Sequence, residues 1–391
     1  MSFRAARTSL CWCVVVTSIT LGVLALQRGA RVAHAQDSAP GAARLPESGE
    51  ALFLKTCASC HGADGRGAPR SEVGFDLPLP DFTDCNFASR EPRRDWLAVA
   101  HRGGPARGFD RTMPSFEGAR TDAELERIVA HVKSFCPERR WPQGELNLPR
   151  AQVTSKAYVE DEVVVAASAA LEGPTDVAGK LIYGARLGAR YQLEASLPFG
   201  FREVEPDEPG VAGRWAEGAG DVGVGLKRVL VHSVRSGSIL TLATEAFLPT
   251  GDAGDGYGRD TVMIEPFLSA GQIVAGTGFL QVQGGFELPI ETELAEREVF
   301  GRLAVGNSYR PRPWGRVWSP MVELTAARAL ESGASTHWDF IPELQVSLSA
   351  RQHVMANVGV RLPMTELDSR PTELLFYVLW DWFDGGVLEG W

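Results

Sequence analysis

The sequence predicts two domains of different class: a small all-α domain, then an antiparallel transmembrane β-barrel of about 12 strands. Three observations predict it. Between residues 48 and 137, apolar side chains recur at helical spacing around a single pentapeptide, Cys57-Ala58-Ser59-Cys60-His61. From residue 157 to 391 the periodicity changes to two. Between these regions, Pro137, Arg139, Arg140, Pro142, Gly144 and Pro149 mark 138–156 as a linker.

The chain has 391 residues, 44% hydrophobic and 23% charged, which excludes a disordered protein. The formal net charge is −10, and no basic patch with interleaved aromatics suggests nucleic-acid binding. Residues 1–35 read as a secretory signal: Arg4 and Arg7, an apolar Leu10–Leu26, and Ala33-His34-Ala35 as a cleavage site. The alternative is a membrane anchor, but 17 residues that include Thr17, Ser18 and Thr20 are short for a permanent span. Loss of Arg4, Arg7, Arg28 and Arg31 with the signal takes the charge from −10 to −14. Residues 36–47 form a Pro/Ala/Gly linker.

The pentapeptide has the spacing of a c-type haem attachment site. Two thiols separated by two residues add across the two vinyl groups of one haem edge, and the adjacent histidine binds the iron from the proximal side. A zinc site would need a second pair of ligands at similar spacing, and the chain has no second Cys-x-x-Cys. A thioredoxin-like pair would leave the histidine unexplained. The expected cofactor is one covalently bound haem c, held by Cys57, Cys60 and His61.

Met113-Pro114 follows His61 by 52 residues, and Met113 is the one methionine of this domain beyond the signal. A thioether on the iron favours the reduced state, as suits an electron carrier, and Pro114 stiffens the loop that presents it. His61 and Met113 are therefore the expected iron ligands, with His101 and His131 as rivals for the distal position. The closing helix opens on a capping box, Thr121 and Glu124. Leu125, Ile128, Val129, Val132 and Phe135 then recur at helical spacing. Cys85 and Cys136 are left over, and in an oxidising compartment they form a disulfide or stay as two buried thiols.

The segment Gly49–Phe135 resembles the class I cytochrome c family. The matching features are a first helix, Cys57-x-x-Cys60-His61-Gly62, Met113-Pro114 and a C-terminal helix. The resemblance implies that the Pro69 carbonyl accepts the second ring nitrogen of His61.

The second domain alternates. Tyr191, Leu193, Ala195, Leu197, Phe199 and Phe201 share one face, with Gln192, Glu194, Ser196 and Gly200 on the other. Val222 to Lys227, Leu280 to Leu288, Glu343 to Leu348 and Val354 to Leu362 repeat the pattern. This fits a closed barrel with lipid outside and water within. A soluble sandwich is the alternative. Export, the polar and glycine-rich face, and the aromatic cluster Phe376, Tyr377, Trp380, Trp382 and Phe383 as an interfacial girdle favour the membrane. Gly218 to Lys227, followed by Leu248-Pro249-Thr250-Gly251-Asp252, resembles the outer-membrane barrel family named for the MetA pathway of phenol degradation. That resemblance implies a barrel passing small or aromatic solutes. Asp252, Asp255 and Asp260 near one glycine-rich loop are a calcium candidate, weighed against a plain solvated loop.

A 12-strand barrel has a backbone diameter of roughly 24 Å. A domain of this size is about 25 Å across, so it should stay outside. The expectation is an exported outer-membrane protein with its haem domain in the periplasm, passing electrons to periplasmic redox partner proteins. It is not expected to be an enzyme. A channel with a haem sensing or gating domain, and a haem peroxidase, are the alternatives.

Overall fold

The computed structural model describes residues 46–204 and 214–391. The signal expected at 1–35 and nearly all of the linker expected at 36–47 lie outside the described residues.

The first domain is helical: α1 (Gly49–Thr56), α2 (Ala58–His61), α3 (Arg70–Val73), α4 (Cys85–Ala88), α5 (Arg93–Arg102) and α6 (Asp122–Ser134). Ser48 caps α1 by accepting from Ala51 N at 3.1 Å. Thr121 and Glu124 form a reciprocal capping box on α6. The apolar stripe of α6 (Leu125, Ile128, Val129 and Val132) is buried against Leu52 and Phe53 of α1 and Leu97 of α5. At the crossing, a β-carbon on Gly49 would collide with the Arg127 carbonyl, so close approach of α1 to α6 requires glycine there.

Cys85 and Cys136 are joined by a disulfide, with their α-carbons 5.1 Å apart and 51 positions between them in sequence. Closing a loop of that length removes about 4 kcal/mol of unfolded-state entropy in the chain-entropy model. Alanine at both positions should lower the stability of the helical domain by up to that amount in urea unfolding. An unchanged midpoint would mean that the bridge contributes nothing.

The second domain contains β1 (Glu162–Ala170), β2 (Asp176–Leu187), β3 (Tyr191–Val204), β4 (Arg214–Ala219), β5 (Val222–Ser233), β6 (Ser238–Leu248) and β7 (Met263–Val274). It continues with β8 (Gly278–Pro289), β9 (Glu298–Asn307), β10 (Trp318–Ala329), β11 (His337–Ser347), β12 (Val354–Pro363) and β13 (Glu373–Asp381). Neighbours pair antiparallel in sequence order. The segments β4 and β5 pair with successive halves of β3 and act as one strand. The ring closes where β1 meets β13, from Glu162 opposite Asp381 to Ala170 opposite Glu373. The result is a closed barrel of 12 antiparallel strands.

The alternation read from the sequence sorts the two faces. On β3, Tyr191, Leu193, Leu197, Phe199 and Phe201 are exposed on the outer wall, whereas Gln192 and Ser196 are buried inside. Leu226, Leu242, Leu268, Val282, Val305 and Phe340 continue the outer apolar surface round the barrel. So broad an exposed apolar band fits lipid rather than water. The connections at the helical domain's end are mostly short (188–190, 234–237, 275–277), and those at the far end are longer (249–262, 290–297, 330–336, 364–372).

The lumen is not simply water-filled. The segment 144–161, most of it expected as linker, runs inside the barrel, and its polar backbone is met by inward side chains. Glu343 accepts from Gln152 N at 3.1 Å. Glu323, fully buried, accepts from Val153 N, Thr154 N and Thr154 Oγ1 at 3.0, 2.6 and 2.6 Å. Gln283 accepts from Ser155 N at 2.9 Å and Gln192 from Glu160 N at 2.8 Å. Gln281 donates to Pro149 O at 2.8 Å, Thr241 to Ala157 O, and Tyr377 to Arg150 O. Buried ion pairs join Arg150 to Glu162 at 2.9 Å and Lys156 to Glu160. Tyr377 therefore points inward to hold this segment. Only part of its aromatic cluster faces outward, Phe376 being exposed there.

Candidate haem site

Cys57 ends α1 and caps the N-terminus of α2, so Cys57, Cys60 and His61 bracket a single turn. The Cys57 carbonyl accepts from Cys60 N at 3.2 Å and His61 N at 3.0 Å. Gly62, at φ +71°, then turns the chain back, and Gly67 N and Ala68 N donate to the His61 and Cys60 carbonyls at 2.9 and 2.8 Å. Neither thiol is engaged in a disulfide. Burial pushes the Cys57 thiol up to about 11 and lowers the pKa of His61, which keeps the imidazole neutral, as an iron ligand must be.

Aromatic rings line this turn. His61 stacks on Phe82 with centroids 4.9 Å apart; Phe82 meets Trp96 at 5.3 Å, and Trp96 meets Phe87 at 5.7 Å. Sequence reading missed these three residues. Their crowding into 82–96 was the available signal. His61 Nδ1 and Trp96 Nε1 are both buried without a hydrogen-bond partner.

The expected bond from His61 to Pro69 is not formed. Pro69 caps α3, and its carbonyl accepts from Glu72 N at 2.8 Å, while His61 Nδ1 stays unpartnered.

Met113 lies half-buried on a separate loop fastened to the end of α5. Its carbonyl accepts from Gly104 N at 3.0 Å, Phe116 N donates to Ala100 O at 3.1 Å, and Asp110 Oδ1 accepts from Thr112 N and Oγ1 at 2.7 and 2.6 Å. The rival histidines are engaged elsewhere. His101 lies against Trp314 at 4.9 Å, with Nε2 3.7 Å from Asp122. His131 packs between Phe53 and Phe135 at 5.4 and 4.9 Å rather than on a polar face.

Trp314 belongs to the β9–β10 turn, at φ +61°, and packs against the core of the helical domain. It is part of a broad docking surface. Arg107, buried, pairs with Asp95 at 2.6 Å and donates to Trp314 O at 2.8 Å. Arg90, buried, pairs with Asp161 and lies 3.8 Å over the Phe383 ring. Arg351 donates to Gly108 O at 3.0 Å and covers the Phe109 ring at 4.5 Å. Gly144 N donates to Ser89 O at 2.7 Å. Helical domain and barrel thus pack as one body.

Acidic groups at this surface should make docking pH-dependent. Burial, with Asp381 nearby, pushes Asp384 up to about 8. Burial, with Asp384 and Asp95 nearby, raises Glu91 well above the usual carboxylate range. Lys133, Arg107 and Arg351 counter this, and Glu389 adds to it. Both acids have raised pKa values in the docked state. The contribution of Asp384 is full below the ordinary carboxylate pKa of about 4 and is lost as pH rises through about 8, and Glu91 acts in the same direction. Hydrogen exchange in α5 and 382–391 should speed up from acid to mildly alkaline pH beyond the intrinsic rate increase, and Asp384→Asn should flatten that excess. An equal excess in the variant would remove Asp384 from the explanation.

The residues fit a haem. Two free thiols and a half-buried imidazole share one turn beside stacked rings, and His61 Nδ1 and Trp96 Nε1 are buried without partners. Among the described residues, no group of three or more His, Cys, Asp or Glu side chains could hold a bare metal ion, so iron here would need a porphyrin to complete its coordination. This includes the Asp252, Asp255 and Asp260 loop, where Asp252 Oδ1 accepts from Gly254 N at 2.8 Å and Asp255 pairs with Arg214.

Fold and site together define a small helical cytochrome domain followed by a closed 12-strand antiparallel β-barrel. The sequence model of the family described as cytochrome c oxidase, cbb3-type, subunit III matches residues 44–132. No curated protein matches the chain significantly. Among solved structures, an outer-membrane channel from Pseudomonas putida F1 is similar at 12% identity, covering 60% of this chain and 99% of its own, with a TM-score of 0.41. The KdgM porin is similar at 8% identity (56% and 98% covered, TM-score 0.35), and the NanC porin at 6% (56% and 97% covered, TM-score 0.38).

Proposed function

We propose that the protein is a monohaem c-type electron-transfer protein of the bacterial outer membrane, with its haem domain on the periplasmic side. The observation that carries this reading is the single turn presenting Cys57, Cys60 and a half-buried His61 whose pKa is lowered. When bound, haem supplies one-electron chemistry between ferrous and ferric iron. The chain's own residues do the rest. Cys57 and Cys60 would tether the group, and His61 and Met113 would offer a nitrogen and a sulfur to its iron. Phe82, Phe87 and Trp96 exclude water. With both of those ligands engaged, no position on the iron would stay open for a substrate, so the reading is a carrier and not an enzyme. The periplasmic placement is supported by docking at the short-turn end, since such barrels keep their short turns in the periplasm. The electron-exchange partners are then periplasmic redox proteins. The barrel's resemblance to the MetA-pathway family adds passage of a small or aromatic solute only if the lumen can open.

The test is the optical spectrum of the detergent-solubilised protein. The expected result is a low-spin reduced c-type spectrum and a sulfur-to-iron band in the oxidised form that Met113→Leu removes. A high-spin spectrum, altered by carbon monoxide or peroxide in the unmutated protein, would overturn the carrier reading.

A further inference from the structure

The segment 144–161 crosses the barrel lumen, and its contacts come from strands on all sides of the ring. Within it, 152–155 hydrogen-bonds to Glu343 on β11, Glu323 on β10 and Gln283 on β8. Ala157 O and Glu160 N are met from β6 and β3, by Thr241 and Gln192, and Arg150 O from β13, by Tyr377. An extended strap along one wall would bond to one or two neighbouring strands. This one bonds to strands from β3 to β13. The lumen of a 12-strand barrel is narrow once side chains fill it. A buried polypeptide with its donors and acceptors satisfied costs several polar contacts to displace.

Both ends of the segment are fastened. At its start, Gly144 N bonds to Ser89 O, and Glu145 accepts from Arg93 N at 3.0 Å and pairs with Lys133 at 3.3 Å, all in the helical domain. At its end, Asp161 pairs with Arg90 of the helical domain and accepts from Arg186 N at 2.7 Å on β2.

We propose that the segment joining the two domains is a resident plug that holds the barrel closed to solutes while the cytochrome domain is docked. Nothing in this rests on haem being present, so it stands or fails separately from the electron-transfer reading. The plug turns the barrel from a conduit into a sealed seat for the cytochrome domain.

The experiment is conductance of the full-length holoprotein in planar lipid bilayers with potassium chloride. The unmutated protein should give no sustained open level. The variant Gln283→Ala/Glu323→Ala removes the acceptors for four donors of 153–155 and should raise conductance roughly tenfold or more, toward that of an empty barrel. Heat-dependent gel mobility and haem absorbance establish that each variant is folded. Sustained conductance by the unmutated protein would overturn the proposal. So would a folded Gln283→Ala/Glu323→Ala protein that conducts no more than the parent.

Discussion

Serine at both Cys57 and Cys60 should abolish covalent haem attachment: the denatured protein should lose its haem stain, and its mass should fall by about one haem. The effect is all-or-none because the thiols are the only bonds that survive denaturation. The two cysteines bracket α2, whose single turn sets their separation, so neither can be replaced by a thiol elsewhere. The remaining described cysteines, 85 and 136, are consumed by each other. One serine alone should leave a single thioether and a haem that stays attached but shifts its absorption. A double variant that keeps its stain would refute the attachment site outright, whatever the fold of the domain.

Arg90→Ala should separate the two domains. Its guanidinium is buried between Asp161, Asn86 and the Phe383 ring, with Nε 2.9 Å from Asn86 O and Nη2 2.8 Å from Asn86 Oδ1. Removing one partner of a buried pair leaves the other charge unpaired, at a cost of about 3–5 kcal/mol. Asp161 keeps the Arg186 backbone donor, which places the effect at the lower end of that range. The expected readouts are faster proteolysis after Arg139 and Arg140 and an earlier unfolding transition for the helical domain, with the barrel's heat-modified mobility unchanged. Arg90→Lys should recover little, because a point charge does not reproduce the planar stack on Phe383. A wild-type proteolysis rate in Arg90→Ala would show that Trp314 and Arg351 suffice for docking.

The haem turn and the barrel were both legible because each obeys a short-range rule. The Cys57–His61 spacing is local chemistry, the Thr121/Glu124 box is local capping, and the outward row from Tyr191 to Phe201 follows the two-residue period of a strand. The segment 144–161 obeys no such rule. It has neither helical nor strand periodicity, and Pro149, following Pro137 and Pro142, reads as a linker. Its backbone is satisfied by Gln283, Glu323 and Glu343, which lie 128 to 191 positions away. In the sequence those same side chains are simply the polar half of alternating strands, as a watery lumen would also require. Tyr377 was placed with the girdle for the same reason, since composition alone does not tell an inward tyrosine from an interfacial one. Trp314, on a turn between two strands, gave no sign that it would meet a helix more than 200 positions earlier. The Pro69 expectation came from a family resemblance, and the local helix at Arg70–Val73 overrode it.

The position of 144–161 also bears on how the molecule can be built. Both ends of the segment are tied to the helical domain, through Gly144 to Ser89 and Asp161 to Arg90, so it enters and leaves the ring by the same mouth. A folded helical domain of some 25 Å therefore need not pass through the ring. The wall can close first at the β1–β13 seam, and the loop can then settle into it from the near side as the domain docks. Filling of the interior and docking of the domain become one event, and a barrel caught before that event would stand open.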